Sequence, residues 1–326
     1  MTTGPTARSA DRHNPVEIGV ALNDDLLIAD GAERRSILNH ISEVGLGHIT
    51  VGDHVSFHGG AGFDGMVAAT SILAGHDTLQ AIIGVYQLAL RHPMIAARQL
   101  ATLSQIAPGR LVLGAGVGGE DRSEVVNAGV DPATRGRRLD EALSVLRRLA
   151  TGEPIDHDGE FFTLRTARIL PPPTPRVPIV IGGSGDVAVR RTADHGDGWM
   201  GIFCSARRFG ETVEKIRAAA AERSREVSWF GLSMWVGLGR DDTAARRLLG
   251  ERMQSLYSLP PEKFRHVTAA GTPETVAAAL EPYLTAGARH LTLVVASESV
   301  HEGIEMAGEV RSLLNARTTC PEGSAR

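Results

Sequence analysis

The feature that most constrains this chain is an eightfold alternation of short apolar runs with amphipathic helical stretches. "VEIGVAL" at 16–22 leads to a helix whose start is marked by Asp30 with Glu33 three residues on. Its Ile37, Leu38, Ile41 and Val44 recur at helical spacing until Gly45 ends it. The next units are "HITVGD" with "GFDGMVAATSILAGH", "TLQAIIGVYQL" with "HPMIAARQLATLSQIAPG", and "RLVLGAGVGG" with "RGRRLDEALSVLRRLATG". The alternation then pauses for a hairpin around Asp158-Gly159 in "EPIDHDGEFFTL" and an extended connector, "ILPPPTPRVP". "PIVIGG", "GDGWMGIF", "SWFGLSMWVGLG" and "HLTLVVA" open four further units.

Runs such as "RLVLGAG" and "LTLVV" lack a polar face, as strands of a buried parallel sheet do. Eight strand-helix alternations in one chain of 326 residues predict an α/β fold, a closed (β/α)8 TIM barrel with insertions, rather than an open sheet. The expected organisation is a disordered tail over 1–15, one barrel domain over 16–314 and a flexible tail over 315–326. There is no short fixed repeat, which excludes a solenoid. The working face of such a barrel is the carboxyl end of its strands, so polar residues at strand ends are the functional candidates.

Composition removes other classes. A net charge of -4 and 22% charged residues offer no basic face for nucleic acid. No apolar run approaches the ~18 residues of a membrane span. The opening "MTTGPTARSADRHNP" has Arg8 and Arg12 but no apolar stretch of an export signal, so a cytoplasmic protein is expected. Cys204 and Cys320 are too few and too far apart for a disulfide framework or a zinc knuckle.

The second strand ends in "VGDHVSFHGG". Asp53 and His54 fall where that strand delivers side chains to the working face, and Glu120 follows the fourth strand. Carboxylate and imidazole at neighbouring strand ends suit proton transfer, because imidazole titrates near neutrality and a buried carboxylate can be raised toward it. A polar turn is the plainer alternative. His54 and His58 have the spacing of a helical metal pair, but this segment is a glycine-flanked loop, so no metal site is expected.

Gly114, Gly116 and Gly119 spell G-x-G-x-x-G, yet the acids that follow, Asp140 and Glu141, sit inside an amphipathic helix rather than at a second strand end. The glycines of this loop, Gly118 among them, instead allow close backbone approach at the barrel mouth. In "IVIGGSGDVAVRR", Gly182, Gly183 and Gly185 surround Ser184 at a helix entry, offering backbone N–H groups and a positive helix end to a phosphate; a tight strand-helix turn would look similar. Arg207 and Arg208 either add charge to the same anion or solvate a helix start.

Taken together, "VGDHVSFH", "RHPMIAARQLATLSQIAPGRLVLGAGVGGE", "RGRRLDEALSVLRRLATGEPIDHDGEFF", "VPIVIGGSGDVAVRRTADHGDGWMG" and "AGTPETVAAALEPYLTAGARHLTLVV" resemble the luciferase-like (bacterial luciferase superfamily) flavin and coenzyme F420-dependent oxidoreductases over about residues 16 to 314. The resemblance implies FMN or coenzyme F420 at the strand carboxyl ends and an extra segment after the seventh strand. It implies that His54 of the Asp53-His54 pair lies near the reactive ring atom. Glu120 falls close to a proton-transferring acid, in a loop one residue longer here. Gly182, Gly183 and Ser184 match the phosphate cradle, with Arg207 beside it for an anionic tail. Gly84-Val85 match a cis non-prolyl bond behind the ring, and His58 stands where some relatives place a tryptophan, making it a substrate contact. The expected activity is F420-dependent hydride transfer to or from a small organic substrate. An FMN-dependent monooxygenase and a catalytically silent flavin-binding protein are the alternatives. The expected partners are a small-molecule substrate and a second copy of the chain, with neither nucleic acid nor membrane.

Overall fold

The computed structural model describes residues 16–22, 24–118, 121–257 and 261–319. The segment expected as the first tail, 1–15, lies outside the described residues, as does 320–326 of the tail expected over 315–326, Cys320 included. Each predicted strand is present: β1 (Glu17–Ala21), β2 (His48–Val51), β3 (Gln80–Tyr86), β4 (Leu111–Ala115), β7 (Ile179–Gly182), β8 (Gly198–Ile202), β9 (Trp229–Leu238) and β11 (His290–Ala296). The predicted hairpin is β5 (Ile155–Asp158) with β6 (Thr163–Ala167), and a short strand, β10 (Ala269–Gly271), was not foreseen. Pairing runs β1-β2-β3-β4-β7-β8-β9-β11 and back to β1, parallel throughout, which closes the barrel.

Closure is not uniform. One edge of β9 pairs with β11 over 231–237, while its other edge is shared, β8 taking 229–233 and β10 taking 236–238. The extra segment after the seventh strand thus lengthens the wall of the carboxyl-end mouth.

Local chemistry accounts for the surrounding helices. Asp30 accepts the N–H groups of Ala32 and Glu33 and starts the helix Gly31–Glu43; Gly45 at φ +81° ends it. Asp64 caps Gly65–Gly75 in the same way. The helix Arg135–Leu149 buries Leu139, Ala142, Leu143, Leu146 and Leu149 on one stripe, each leucine stabilising by about 1.5–3 kcal/mol. The terminal helix runs from Val300 to Thr319, past the boundary expected at 314.

Strand alternation splits the core. Ala81, Ile83, Leu111, Leu113, Ile179 and Ile181 join the large cluster shared with the helices. Ile82, Val112, Val180 and Met200 form a separate cluster inside the barrel, under β3, β4, β7 and β8. The opposite half of the interior is polar, with His48 and Thr50 on β2, Ser233 on β9 and Thr292 on β11, all buried.

No helix among the described residues is long and apolar enough to cross a membrane.

Candidate active site

After β2 the chain makes a small closed loop. The His54 N–H donates to the Phe63 carbonyl, and Phe57 and Ala61 exchange backbone hydrogen bonds of 2.8 Å. Gly62 must be glycine, since a Cβ there would lie 2.4 Å from the Cβ of His54 and its φ is +130°. This folding turns His54 and Phe57 into a cavity at the barrel mouth. His58 turns outward: its side chain is 58% exposed, its ring packs 4.0 Å from that of Phe57, and its N–H donates to Asp121. His58, expected to meet the substrate, is not among the residues that line this cavity, whereas the neighbouring Phe57 is.

Asp53 points the other way. Its buried carboxylate accepts N–H groups from Gly65 at 2.9 Å and Gln87 at 2.7 Å and forms a bidentate pair with Arg91 at 2.7 and 2.8 Å. Each oxygen thus takes one backbone and one guanidinium donor. Burial pushes the carboxyl above its ordinary value, opposed by Arg91 and the two N–H groups. The structure does not place Asp53 on the cavity as a proton carrier; it ties the β2 end to the segment after β3.

The carboxylate beside His54 is Glu124, on the helix Arg122–Asn127. Glu120, expected in this role, lies outside the described residues. Glu124 Oε2 is 3.3 Å from His54 Nδ1, and its Oε1 accepts the N–H groups of Val55 and Ser56. Burial raises the Glu124 carboxyl, but the Ser56 N–H, the Gln87 amide and the Val55 N–H together hold it below its ordinary value. The two amide hydrogens of Gln87 have shorter contacts than the 3.4 Å to His54 Nδ1, at 2.8 Å to the Asp53 carbonyl and 3.1 Å to Glu124. An ionised carboxylate only accepts, so Nδ1 is the donor to Glu124.

The cavity, about 310 Å³, is lined by Thr50, Gly52, His54, Phe57, Gly84, Ile202, Ser233, Trp235 and Val294 among others. The Gly84-Val85 peptide is cis, as the resemblance implies. The Val85 side chain wedges between the ends of β4 and β7, where a Cβ on Gly116 or Gly182 would approach it to 2.5 or 2.6 Å. A Cβ on Gly114 would meet the Ile83 carbonyl at 2.2 Å. These contacts explain the glycine run after β4 without a dinucleotide. Gly118, at φ +61°, lies against the Gln87 side chain, whose Oε1 has no hydrogen-bond partner among the described residues.

After β7, Gly183 at φ +109° and Gly185 at φ +76° carry the chain into the helix Gly185–His195. The Gly183 carbonyl is held by Trp199 Nε1 at 2.9 Å, and the Ser184 hydroxyl makes no capping bond. The first-turn N–H groups are thus left for an outside anion. Asp186 in that turn is paired with Lys215 at 3.4 Å. Arg207, expected beside the cradle, is 79% exposed and pairs with Glu211 on its own helix.

Sequence reasoning missed Glu124, Gln87 and Arg91. Asp121-x-x-Glu124 is a capping-box pattern that marks the helix, yet Glu124 turns to the β2 loop. Among the described residues no group of three or more His, Cys, Asp or Glu is placed to hold a metal ion.

The family model described as luciferase-like monooxygenase matches residues 17–263. Among curated relatives, the F420-dependent glucose-6-phosphate dehydrogenase 1 of Rhodococcus jostii is 27% identical over 281 residues, covering 76% of this chain and 83% of that one. An uncharacterized protein of Mycobacterium bovis is 37% identical over 118 residues, 36% of this chain, and the match spans 40% of that relative's length. Among solved structures, an F420-dependent secondary alcohol dehydrogenase in complex with an F420-acetone adduct superposes with a TM-score of 0.81 at 20% identity, covering 92% of this chain and 99% of that one. The FMN-bound oxygenating constituent of 3,6-diketocamphane monooxygenase from Pseudomonas putida gives 0.72 at 17%, covering 93% and 99%.

Proposed function

The chain belongs to the luciferase-like monooxygenase family, and within it we propose a coenzyme F420-dependent oxidoreductase that transfers hydride between the deazaflavin and a small carbonyl, imine, activated alkene or alcohol. The observation that carries this reading is the His54–Glu124 pair, whose imidazole lines the cavity and whose carboxylate is buried behind it. The F420-dependent dehydrogenase of Rhodococcus jostii, matched over most of both chains, supports it.

The cradle fits a phosphate-bearing cofactor. Gly183 meets nothing closer than 3.8 Å at its Cβ position and Gly185 nothing within 4 Å, so a phosphate can reach the N–H groups of the Ser184 turn. Gly84 lines the cavity with bare backbone, since a Cβ there would lie 2.8 Å from Thr50 Cγ2 and 3.0 Å from Met200 Cε. When bound, F420 supplies an obligate hydride carrier, whereas FMN supplies an oxygen-reactive flavin.

The protein's own part is proton handling and positioning. Glu124 stays ionised near neutrality and holds the His54 Nδ1 proton, which fixes the orientation of the ring. Nε2 then takes a proton from a substrate hydroxyl, or returns one to a substrate carbonyl. Phe57, Trp235 and Val294 provide apolar walls that keep water from this exchange. An FMN-dependent monooxygenase is the second reading, favoured by the fact that the same cradle suits either phosphate.

Binding titration decides between them. F420 should bind at least ~10-fold tighter than FMN, a gap of ~1.4 kcal/mol, with no oxygen uptake by the reduced form. Tighter FMN binding together with substrate-dependent oxygen consumption overturns the hydride-transfer reading.

A further inference from the structure

Beneath the cavity the polar half of the barrel interior holds a connected line of three side chains. Thr50 Oγ1 is 2.9 Å from Thr292 Oγ1, which is 3.0 Å from His48 Nε2. Thr50 lines the cavity; Thr292 and His48 do not. His48 on β2 and Thr292 on β11 are in register with the same residue of the strand between them, Gly19 on β1. They can meet only because that residue lacks a side chain: a Cβ there would lie 2.5 Å from His48 Cδ2. Two residues before Thr292 on the same strand, the His290 ring stacks on Trp229 at 4.2 Å.

A threonine hydroxyl donates once, so where Thr292 donates to one of these neighbours it accepts from the other. If His48 Nε2 carries the proton, it donates to Thr292, whose own hydrogen can then go to Thr50 and leave the Thr50 O–H free to donate into the cavity. If Nε2 is bare, every bond reverses and Thr50 offers the cavity only lone pairs. Burial, with the charge of His290 adding to it, pushes His48 down to about 3, so the imidazole is neutral and its choice of tautomer, not its charge, is what the line transmits.

We propose that Thr50 is a ligand-positioning residue at the cavity floor, and that His48 sets through Thr292 whether it donates to or accepts from a polar edge of the bound ring system. This rests on the cofactor reading above. Thr292 and His48 act only through Thr50, which makes them positioning residues rather than contacts.

The test is titration of F420 and of FMN into the full chain and its Thr50→Val, Thr292→Val, Thr292→Ser and doubly Val-substituted variants, with thermal melts of each. Thr50→Val and Thr292→Val should each weaken binding of the preferred cofactor by about fivefold. The double variant should be no weaker than Thr50→Val alone, and Thr292→Ser should bind as the parent does. In protein labelled with 15N-histidine, the His48 resonances should shift on cofactor binding in the parent and not in Thr292→Val. Unchanged affinity in Thr50→Val, or losses that multiply in the double variant, overturns the proposal while leaving the cofactor reading intact. Should Thr292→Val fail to fold, the Thr50→Val titration and the His48 resonances of the parent still decide. Failure of the parent to bind either cofactor is a different outcome, and it overturns the cofactor reading and this proposal together.

Discussion

Glu124 Oε2 stands 3.3 Å from His54 Nδ1 although the two residues are 70 positions apart. The imidazole comes from the end of β2, the carboxylate from the short helix after β4, and Gln87 from the end of β3 sits between them with its amide on Glu124. Three successive units of the barrel are thereby joined at the mouth through one carboxylate that also holds the Val55 and Ser56 N–H groups.

Removing the imidazole should affect chemistry more than binding. His54→Ala is expected to lower turnover by roughly 10²-fold or more with cofactor affinity within a few fold, and Glu124→Gln to lower turnover by about tenfold. Steady-state kinetics beside a cofactor titration separate the two quantities. A folded His54→Ala enzyme with full turnover would reduce the pair to a structural contact.

Asp53 and Arg91 should behave in the opposite sense. The pair is bidentate, and the Asp53 side chain is fully buried. Losing one partner leaves the other uncompensated, so Arg91→Ala should destabilise the fold by about 3–5 kcal/mol. Urea unfolding followed by circular dichroism measures this. A change under 1 kcal/mol would mean that water or another group replaces the guanidinium.

Gly183→Asp places a Cβ at φ +109° and a negative charge beside the open N–H groups. Cofactor affinity should fall at least tenfold, about 1.4 kcal/mol. Gly183→Ala carries the backbone strain without the charge and isolates the electrostatic part. Equal affinity for all three proteins would move the phosphate site elsewhere.

Burial holds His48 down to about 3 and His290 to about 4, both below the ~6.5 of a free imidazole. The folded values being depressed, the stability they contribute is complete above about pH 6.5 and is lost as pH falls toward the folded values. From there to about pH 4 the unfolded chain binds protons that the folded chain refuses, at up to about 1.4 kcal/mol per pH unit for each ring. Urea midpoints at pH 7, 6 and 5 should therefore fall less steeply in His290→Gln than in the parent. Parallel slopes would show that His290 already binds its proton in the fold.

The barrel was legible locally. Helical periodicity, the Asp30 cap, Gly45 as a stop and the glycines around Ser184 are each set within a few residues, because capping, φ preference and burial periodicity act at that range. What sequence could not supply was which long-range side chains meet. Asp53 and His54 are adjacent, yet strand alternation and the fold-back at Gly62 send one into a buried ion pair and the other to the cavity. Glu124 reaches His54, and Thr292 reaches His48 across Gly19, only once the barrel has closed and fixed the register of its strands. Side-chain partnerships between distant strands depend on that closure, and no local pattern in either partner carries it.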